Sequence, residues 1–407
     1  MNKKTFLYFI LLFFFSTTFY PIDDSLKYYD TVNARKAIFL DESEWIQYIN
    51  KNILIDPINK IRFVCNIDND KYEMRFYVEG QNNKDVYSFG RIDYQFDADK
   101  KLLKAKVYFH KANNSYLLFE KGNLGKYDIY LFGKLYRKNL FYFFSFESLK
   151  TLSLYKILSL LDDANLRDEV LIVKDDSKLK EKFINQVISV STPMKYVDDG
   201  ARDENGNFVY INSENKQNNK EQGINCSGFV KEIADNYIRL INPDFRFLSI
   251  GELKKVRENE RKNITFQYYG LGYDPFFGRD WAKNISDKIN QLCNYNIISS
   301  RVYEDDQYAF YDRDRGYDVK DLKEVLYRNQ QNDSNYFYLL VFNRLRSEKP
   351  VVPEYHHLSI AVPYFEDCHF YLRVFESGVE TNFPQLQSYH TNEKVMIIKI
   401  PIPFTYL

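Results

Sequence analysis

The sequence predicts an α+β protein in two parts: a strand-rich first part, then a second part in which helices precede an antiparallel sheet. Three observations carry this. Short aromatic-rich segments alternate with polar breaks from about Ile61 to Ser148. Apolar residues then recur three and four apart, the spacing of a helix. Four strand-like segments lie between Tyr336 and the end of the chain. With ~150 residues typical of one domain, a chain of 407 has room for two, each with its own core.

The chain opens on MNKK, an apolar run from Phe6 to Phe15, and STTFYP. A basic start, a short apolar stretch and a small polar patch are the layout of a secretory signal peptide, over residues 1–20. The run falls short of the ~20 apolar residues of a membrane-spanning helix. The membrane enters only if this segment stays uncleaved, and no Ala-x-Ala-like cleavage site is present. The expectation is an exported protein of the periplasm or cell envelope. Cys65, Cys293 and Cys368 could pair in an oxidising compartment, in combinations the sequence leaves open.

Residues 30–165 read as a strand-rich accessory domain. IRFVCNI, YEMRFYV, VYSFGRIDYQF, LLKAKVYFH, SYLLFEKG, YDIYLFGKLYR and FYFFSFES follow one another with turn residues between. Aromatics suit a pleated, half-buried surface, so many of the 35 Tyr and 34 Phe are placed here. No catalytic constellation is visible, and a structural or docking role is expected. Leu149–Leu161 reads as a helix, and the domain boundary is placed near residue 165.

Residues 166–407 form the second domain, with an insertion at about 243–335. SKLKEKFINQVISV has Phe183, Ile184, Val187 and Ile188 at helical spacing. SENKQNNKEQG is an exposed loop by composition. INCSGFVKEIADNYIRLI is again a helix. ELKKVRENERK and VKDLKEVLYR are helix-like, and YFYLLVF, HHLSIAVPYF, HFYLRVFESG and KVMIIKIPI are strands.

Lys plus Arg equals Asp plus Glu at 56 each, which excludes binding to nucleic acid through a global basic field. No phosphate-cradling glycine loop, dinucleotide motif or clustered zinc spacing is present, so no cofactor or metal is expected. Asp203, Asn205, Asn207 and Glu214 loosely imitate a calcium loop, but their glycine is misplaced and a hairpin turn is expected. Cys368 and His369 are neighbours in a turn and do not face each other productively. His110 and His390 read as ordinary surface or strand residues.

Cys226 stands apart. Asn225 is a good N-cap, which puts the cysteine in the first turn of a helix, at the positive end of its dipole. That position favours thiolate over thiol. Ser227 and Gly228 are small and leave room for a substrate, and backbone N–H groups of the turn are free to hold an oxyanion. A cysteine nucleophile needs a base. His357 opens a strand whose alternation puts Leu358, Ile360 and Val362 on one face. His357, Ser359 and Ala361 share the other, small enough for the cysteine helix to pack there. In a regular strand His356 points away. Glu376, on the next strand, is placed to orient His357.

These residues resemble the NlpC-type cysteine peptidases, papain-like enzymes that cut the peptide stems of bacterial cell wall. NCSGFV matches the nucleophile motif, HLSIAV the histidine strand and VFESG the third polar position, and PMKYVDDG at Tyr196 is similar to the family's upstream tyrosine segment. Asn225 replaces the usual Asp and Glu376 the usual His, Asn or Gln. Asp198 and Asp199 stand where aromatic and glycine residues are usual. The resemblance covers roughly residues 175–407. It implies a papain-like fold and a thiol hydrolase acting on peptidoglycan stem peptides, with Cys226, His357, Glu376 and Tyr196 as catalytic residues. The long stretch between Cys226 and His357 is expected to cap or reshape the substrate groove. It keeps open a protein or lipid amide as substrate, or transfer to an amine. An inactive envelope-binding protein on the same scaffold is the remaining alternative.

Overall fold

The computed structural model describes residues 31–402 apart from 41–44, 80–85, 110–114, 124, 162–175, 192–194, 221, 259–260, 262–273, 293–301, 305–308, 314, 333, 349–350 and 367–368. The signal segment, Cys293, Cys368, His110 and the expected boundary at 165 lie outside the described residues. The chain divides into two compact units, 1–172 and 173–407. No helix among the described residues is long and apolar enough to cross a membrane.

The first unit is built on an eight-stranded antiparallel meander in sequence order: β1 (Lys51–Asp56), β2 (Ile61–Asp68), β3 (Lys71–Glu79), β4 (Val86–Phe96), β5 (Leu102–Tyr108), β6 (Tyr116–Glu120), β7 (Lys126–Leu131) and β8 (Lys134–Phe141). Its register puts Cys65, Met74, Tyr94, Ala105, Phe119 and Tyr127 in one cross-strand row, all buried. Helix α1 (Val32–Leu40) packs on this face, with Phe39 against Phe76, Tyr94 and Phe96. Its buried Arg35 donates to Thr31 Oγ1, Tyr94 Oη and the Leu149 and Leu152 carbonyls, which offsets the cost of burying a guanidinium. Cys65 is a buried free thiol. Alternate residues on the other face are polar.

The predicted strand YDIYLFGKLYR is in fact the β7–β8 hairpin. Phe132 and Gly133 take positive φ at its two-residue turn. FYFFSFES is a second departure. Beyond β8 it makes one isolated bridge at Tyr142, and then Ser145 caps a short 3₁₀ turn, Phe146–Lys150. The expected helix over Leu149–Leu161 shortens to α2 (Leu154–Ser159), because Ser153 caps it by accepting the Lys156 N–H at 3.0 Å.

The second unit has a six-stranded antiparallel sheet in the order β11-β16-β12-β13-β14-β15. Its strands are β11 (Tyr317–Asp318), β12 (Tyr336–Glu348), β13 (Val351–Glu366), β14 (His369–Glu376), β15 (Val379–Thr381) and β16 (Lys394–Pro401). Leu358, Ile360 and Val362 face a core shared with α3 (Ser177–Ser191), α4 (Cys226–Ile241) and α6 (Phe277–Leu292). The opposite face meets α7 (Leu322–Asn332), whose Tyr327 ring lies edge-on to Phe365 and Phe370. The hairpin of β9 (Gly200–Arg202) and β10 (Phe208–Tyr210) precedes α4. ELKKVRENERK supplies only the short helix α5 (Ile250–Leu253). Helix α6, in the middle of the expected insertion, went unpredicted. Its Trp281, Ala282, Ile285 and Ile289 are fully buried, so this stretch is part of the core rather than a cover over a groove.

Candidate active site

The local sequence explains how Cys226 is set at the head of α4. Asn225 is extended, and its side chain accepts the Gly228 N–H at 2.8 Å. A Cβ on Gly228 would sit 2.2 Å from the Gly200 carbonyl oxygen, so only glycine lets the helix approach β9. Ser227 is buried, and its carbonyl accepts from Trp281 Nε1 at 3.0 Å. The expectation that these small residues leave room for substrate is therefore corrected: they let the helix pack. The polar loop before the helix also holds a buried residue. Gln217 donates to the Val209 and Gly223 carbonyls and accepts the Gly223 N–H, pinning the chain that leads into Cys226.

His357 and Cys226 approach at the end of a ladder. The cysteine helix packs on the Leu358–Ile360–Val362 face, not on the His357 face as expected. β14 pairs with β13 only from Ile360 on. Leu358 lies beyond that pairing, and its N–H helps to lower the Cys226 thiol. His357 lies close enough to the same sulfur for each to act on the other's charge, and its Nε2 meets Glu376 Oε1 at 2.8 Å. With Nε2 engaged by the carboxylate, Nδ1 is the ring nitrogen left for the thiol.

The electrostatics favour a charged sulfur and a charged imidazole side by side. Burial pushes the Cys226 thiol up. The His357 hydrogen bond and charge, the Leu358 N–H and the Ser227 hydroxyl outweigh it and hold the thiol below its ordinary value. Burial works against a charged His357, yet its bonds to Cys226 and Glu376 raise it well above an ordinary histidine. Burial would also raise Glu376, but hydrogen bonds from His357 and His390 bring it down to about 2.

Tyr196 is 63% exposed and joined to Ile224 by an isolated bridge. Burial, then Asp198, then the charge of Cys226 raise its hydroxyl, so it lies within electrostatic reach of the sulfur. Thus Cys226, His357 and Glu376 are brought together in one site, with Tyr196 at its margin. Asp203 accepts the Asn205 and Asn207 N–H groups and closes the β9–β10 turn, while Glu214 pairs with Lys254 at 3.0 Å. Cys368 and the His369 side chain lie outside the described residues.

Two residues that the sequence reading missed complete the site. His390, at the end of α8 (Phe383–Tyr389), is buried and stacks on Phe342 at 4.0 Å and on His357 at 5.3 Å. Its Nδ1 meets Glu393 Oε2 at 2.8 Å, and its Nε2 lies 3.6 Å from Glu376 Oε1. His390 is thus no ordinary surface or strand residue. His356 joins the same cluster, 3.1 Å from Glu393. It does so because β13 is irregular there: Phe342 pairs with His357 and Asn343 with Tyr355, which leaves His356 as the extra residue of a bulge. Ligand atoms of His356, His390 and Glu393 lie within 4.8 Å of one another, as do those of His357, Glu376 and His390. Either trio could hold one cation, though hydrogen bonds already link its members.

No family model, curated protein or solved structure matches the chain.

Proposed function

We propose that the second unit is an NlpC-type, papain-like cysteine peptidase, exported to the periplasm or cell envelope, that hydrolyses amide bonds in peptidoglycan stem peptides. One observation carries the chemistry: the Cys226 sulfur stands at a helix N-terminus within the charge of His357, whose Nε2 meets Glu376 Oε1 at 2.8 Å. The Cys226 thiolate attacks the amide carbonyl carbon, and the C–N bond breaks as His357 gives its proton to the leaving amine. Water then attacks the thioester, with His357 taking its proton, and the carboxylic acid leaves as the thiolate is restored. Glu376 holds the imidazole and stabilises its charged form. Backbone N–H groups at the head of α4, with the Tyr196 hydroxyl, bind the oxyanion. The substrate class rests on the resemblance of NCSGFV, HLSIAV and VFESG to the family's motifs.

The test incubates purified protein with muropeptides and follows new amine termini by mass spectrometry. Wild type should release them and Cys226→Ala should not. Equal product from both ends the hydrolase reading. If muropeptides stay intact while a protein or lipid amide is cut only by wild type, the thiol chemistry stands and the substrate changes.

A further inference from the structure

The polar face of the first sheet holds a cleft of about 310 Å³, the lower end of the size that encloses a small ligand. Its lining brings four basic side chains, Arg75, Arg91, Lys104 and Lys106, against two acidic ones, Glu73 and Asp93. Register explains the crowding. Arg75, Asp93 and Lys106 stand directly opposite one another on β3, β4 and β5. Asp93 already serves two cations, accepting from Arg75 Nε at 3.2 Å and from Arg91 Nε at 2.8 Å. Lys104 pairs with Glu120 at 2.9 Å. The other cross-strand neighbour of Lys106 is the buried Leu118. Among the described residues no carboxylate comes within ion-pair distance of the Lys106 ammonium, which lies 4.7 Å over the Tyr116 ring. Burial and the nearby Lys104 and Arg91 lower its proton affinity. A half-buried cation with no anionic partner, among other cations, is a place where a ligand's oxyanion would be stabilised. The same walls carry Glu73, Asp93, Asn66 and Gln95, which accept from or donate to hydroxyl groups. A bare polyanion would be repelled by the two carboxylates; a hydroxylated ring with one oxyanion can use both kinds of group.

We propose that this cleft binds an acidic sugar, its oxyanion on Lys106 and Arg91 and its hydroxyls on the surrounding carboxylates and amides. The proposal is independent of the chemistry at Cys226.

The experiment titrates the full chain by calorimetry at low salt with glucuronate, glucose 6-phosphate, glucose and inorganic phosphate. At least one acidic sugar should bind about ten-fold or more tightly than both glucose and inorganic phosphate, and should weaken as salt rises. Preference between the two identifies a carboxylate or a phosphate as the oxyanion. Lys106→Met, which keeps the stem and removes the charge, should weaken binding about ten-fold. Lys104→Met, beside it, should weaken binding by a smaller factor. Asp93→Asn should strengthen it a few-fold by releasing Arg75 and Arg91. The proposal is overturned if neither acidic sugar binds, if glucose or inorganic phosphate binds as well, or if folded Lys106→Met and Lys104→Met both bind like wild type. Weakening by Asp93→Asn would also overturn it.

Discussion

The two sheets of this protein handle polar side chains in opposite ways. In the first, one face is packed and the other polar, so charged residues alternate with core residues along β3, β4 and β5. In the second, helices α3, α4 and α6 cover one face and α7 meets the other, so the strands are apolar on both sides. A polar group in the first sheet is ordinary. In the second it has been taken out of water and requires a partner. His357 and Glu376 are such groups, each finds the other, and His390 reaches them from the end of α8. The contrast teaches where a sequence reveals chemistry: polar residues interrupting a doubly covered sheet are informative, whereas those alternating along a half-covered one are not.

The largest effect that tests this contrast sets Cys226→Ser against Phe119→Ala. Replacing the thiol should lower amide hydrolysis by about 10³-fold or more while the unfolding midpoint barely moves. Phe119 is fully buried in the first sheet, and truncating it should cost roughly 3–5 kcal/mol of stability with iodoacetamide labelling of Cys226 unchanged. Kinetics on muropeptides and denaturant melts read the two. A loss of activity in folded Phe119→Ala would break the separation.

The first sheet was legible because its alternation is simple. Five of its eight strands, β2 to β6, follow one for one from period-two patterning; β1 lies before the expected strands, and the β7–β8 turn is hidden because Phe132, unlike glycine, gives no hint of positive φ. FYFFSFES misled because aromatic content was read as strand, whereas Ser145 turns the chain. In the second unit the cysteine helix, the histidine strand and Glu376 could be read from local motifs. The bulge at His356 could not, since it depends on the register of β12 against β13. His390 was invisible for the same reason: its neighbours in sequence are polar, and only the fold stacks it on Phe342. Helix α6 carried a signal, Trp281, Ile285 and Ile289 at four-residue spacing, hidden among charges. Gln217, in a tract of Asn, Lys and Glu, had no local mark at all.

The next effect is on pH dependence. The hydrogen bonds and charge of His357 hold the Cys226 thiol low against burial, which pushes it up. Wild type should therefore be alkylated by iodoacetamide at a lower pH than an ordinary thiol. In His357→Ala burial remains and the opposing charge is gone, so the alkylation midpoint should move above that of a free cysteine. Cys65, buried in the first sheet with burial alone acting on it, is pushed up to about 11 and should stay unlabelled in both. Mass mapping of the labelled peptides across pH checks both sites. Labelling of Cys226 at the same midpoint in wild type and His357→Ala would show that the histidine does not set it.

Smaller effects follow outward from the pair. Glu376→Gln keeps the shape but removes the charge that stabilises the imidazolium, and should lower turnover about 10²-fold. His390→Gln acts through Glu376 and the His357 ring, and should cost about ten-fold in turnover with KM unchanged. It should also bring the alkylation profile of Cys226 toward that of an ordinary thiol. In His390→Phe, stacking on Phe342 is kept and the hydrogen bonds are lost. If His390→Phe matches wild type in turnover and pH profile, the ring serves packing alone.

The smallest effect separates the helix from its charge. Asn225 caps α4 through the Gly228 N–H, and this neutral cap stands one residue from the nucleophile. Asn225→Ala removes the bond and should cost about 1 kcal/mol of stability. Asn225→Asp keeps the cap but places a negative charge beside the sulfur. That charge disfavours a neighbouring thiolate, so the alkylation midpoint should rise by a few tenths of a pH unit, about 0.5 kcal/mol, while stability holds. The two substitutions therefore move different observables at one position. If Asn225→Asp lowers the midpoint instead, the added carboxylate acts mainly on His357 rather than on Cys226, and the N-cap belongs to the polar chain of the site and not only to the helix.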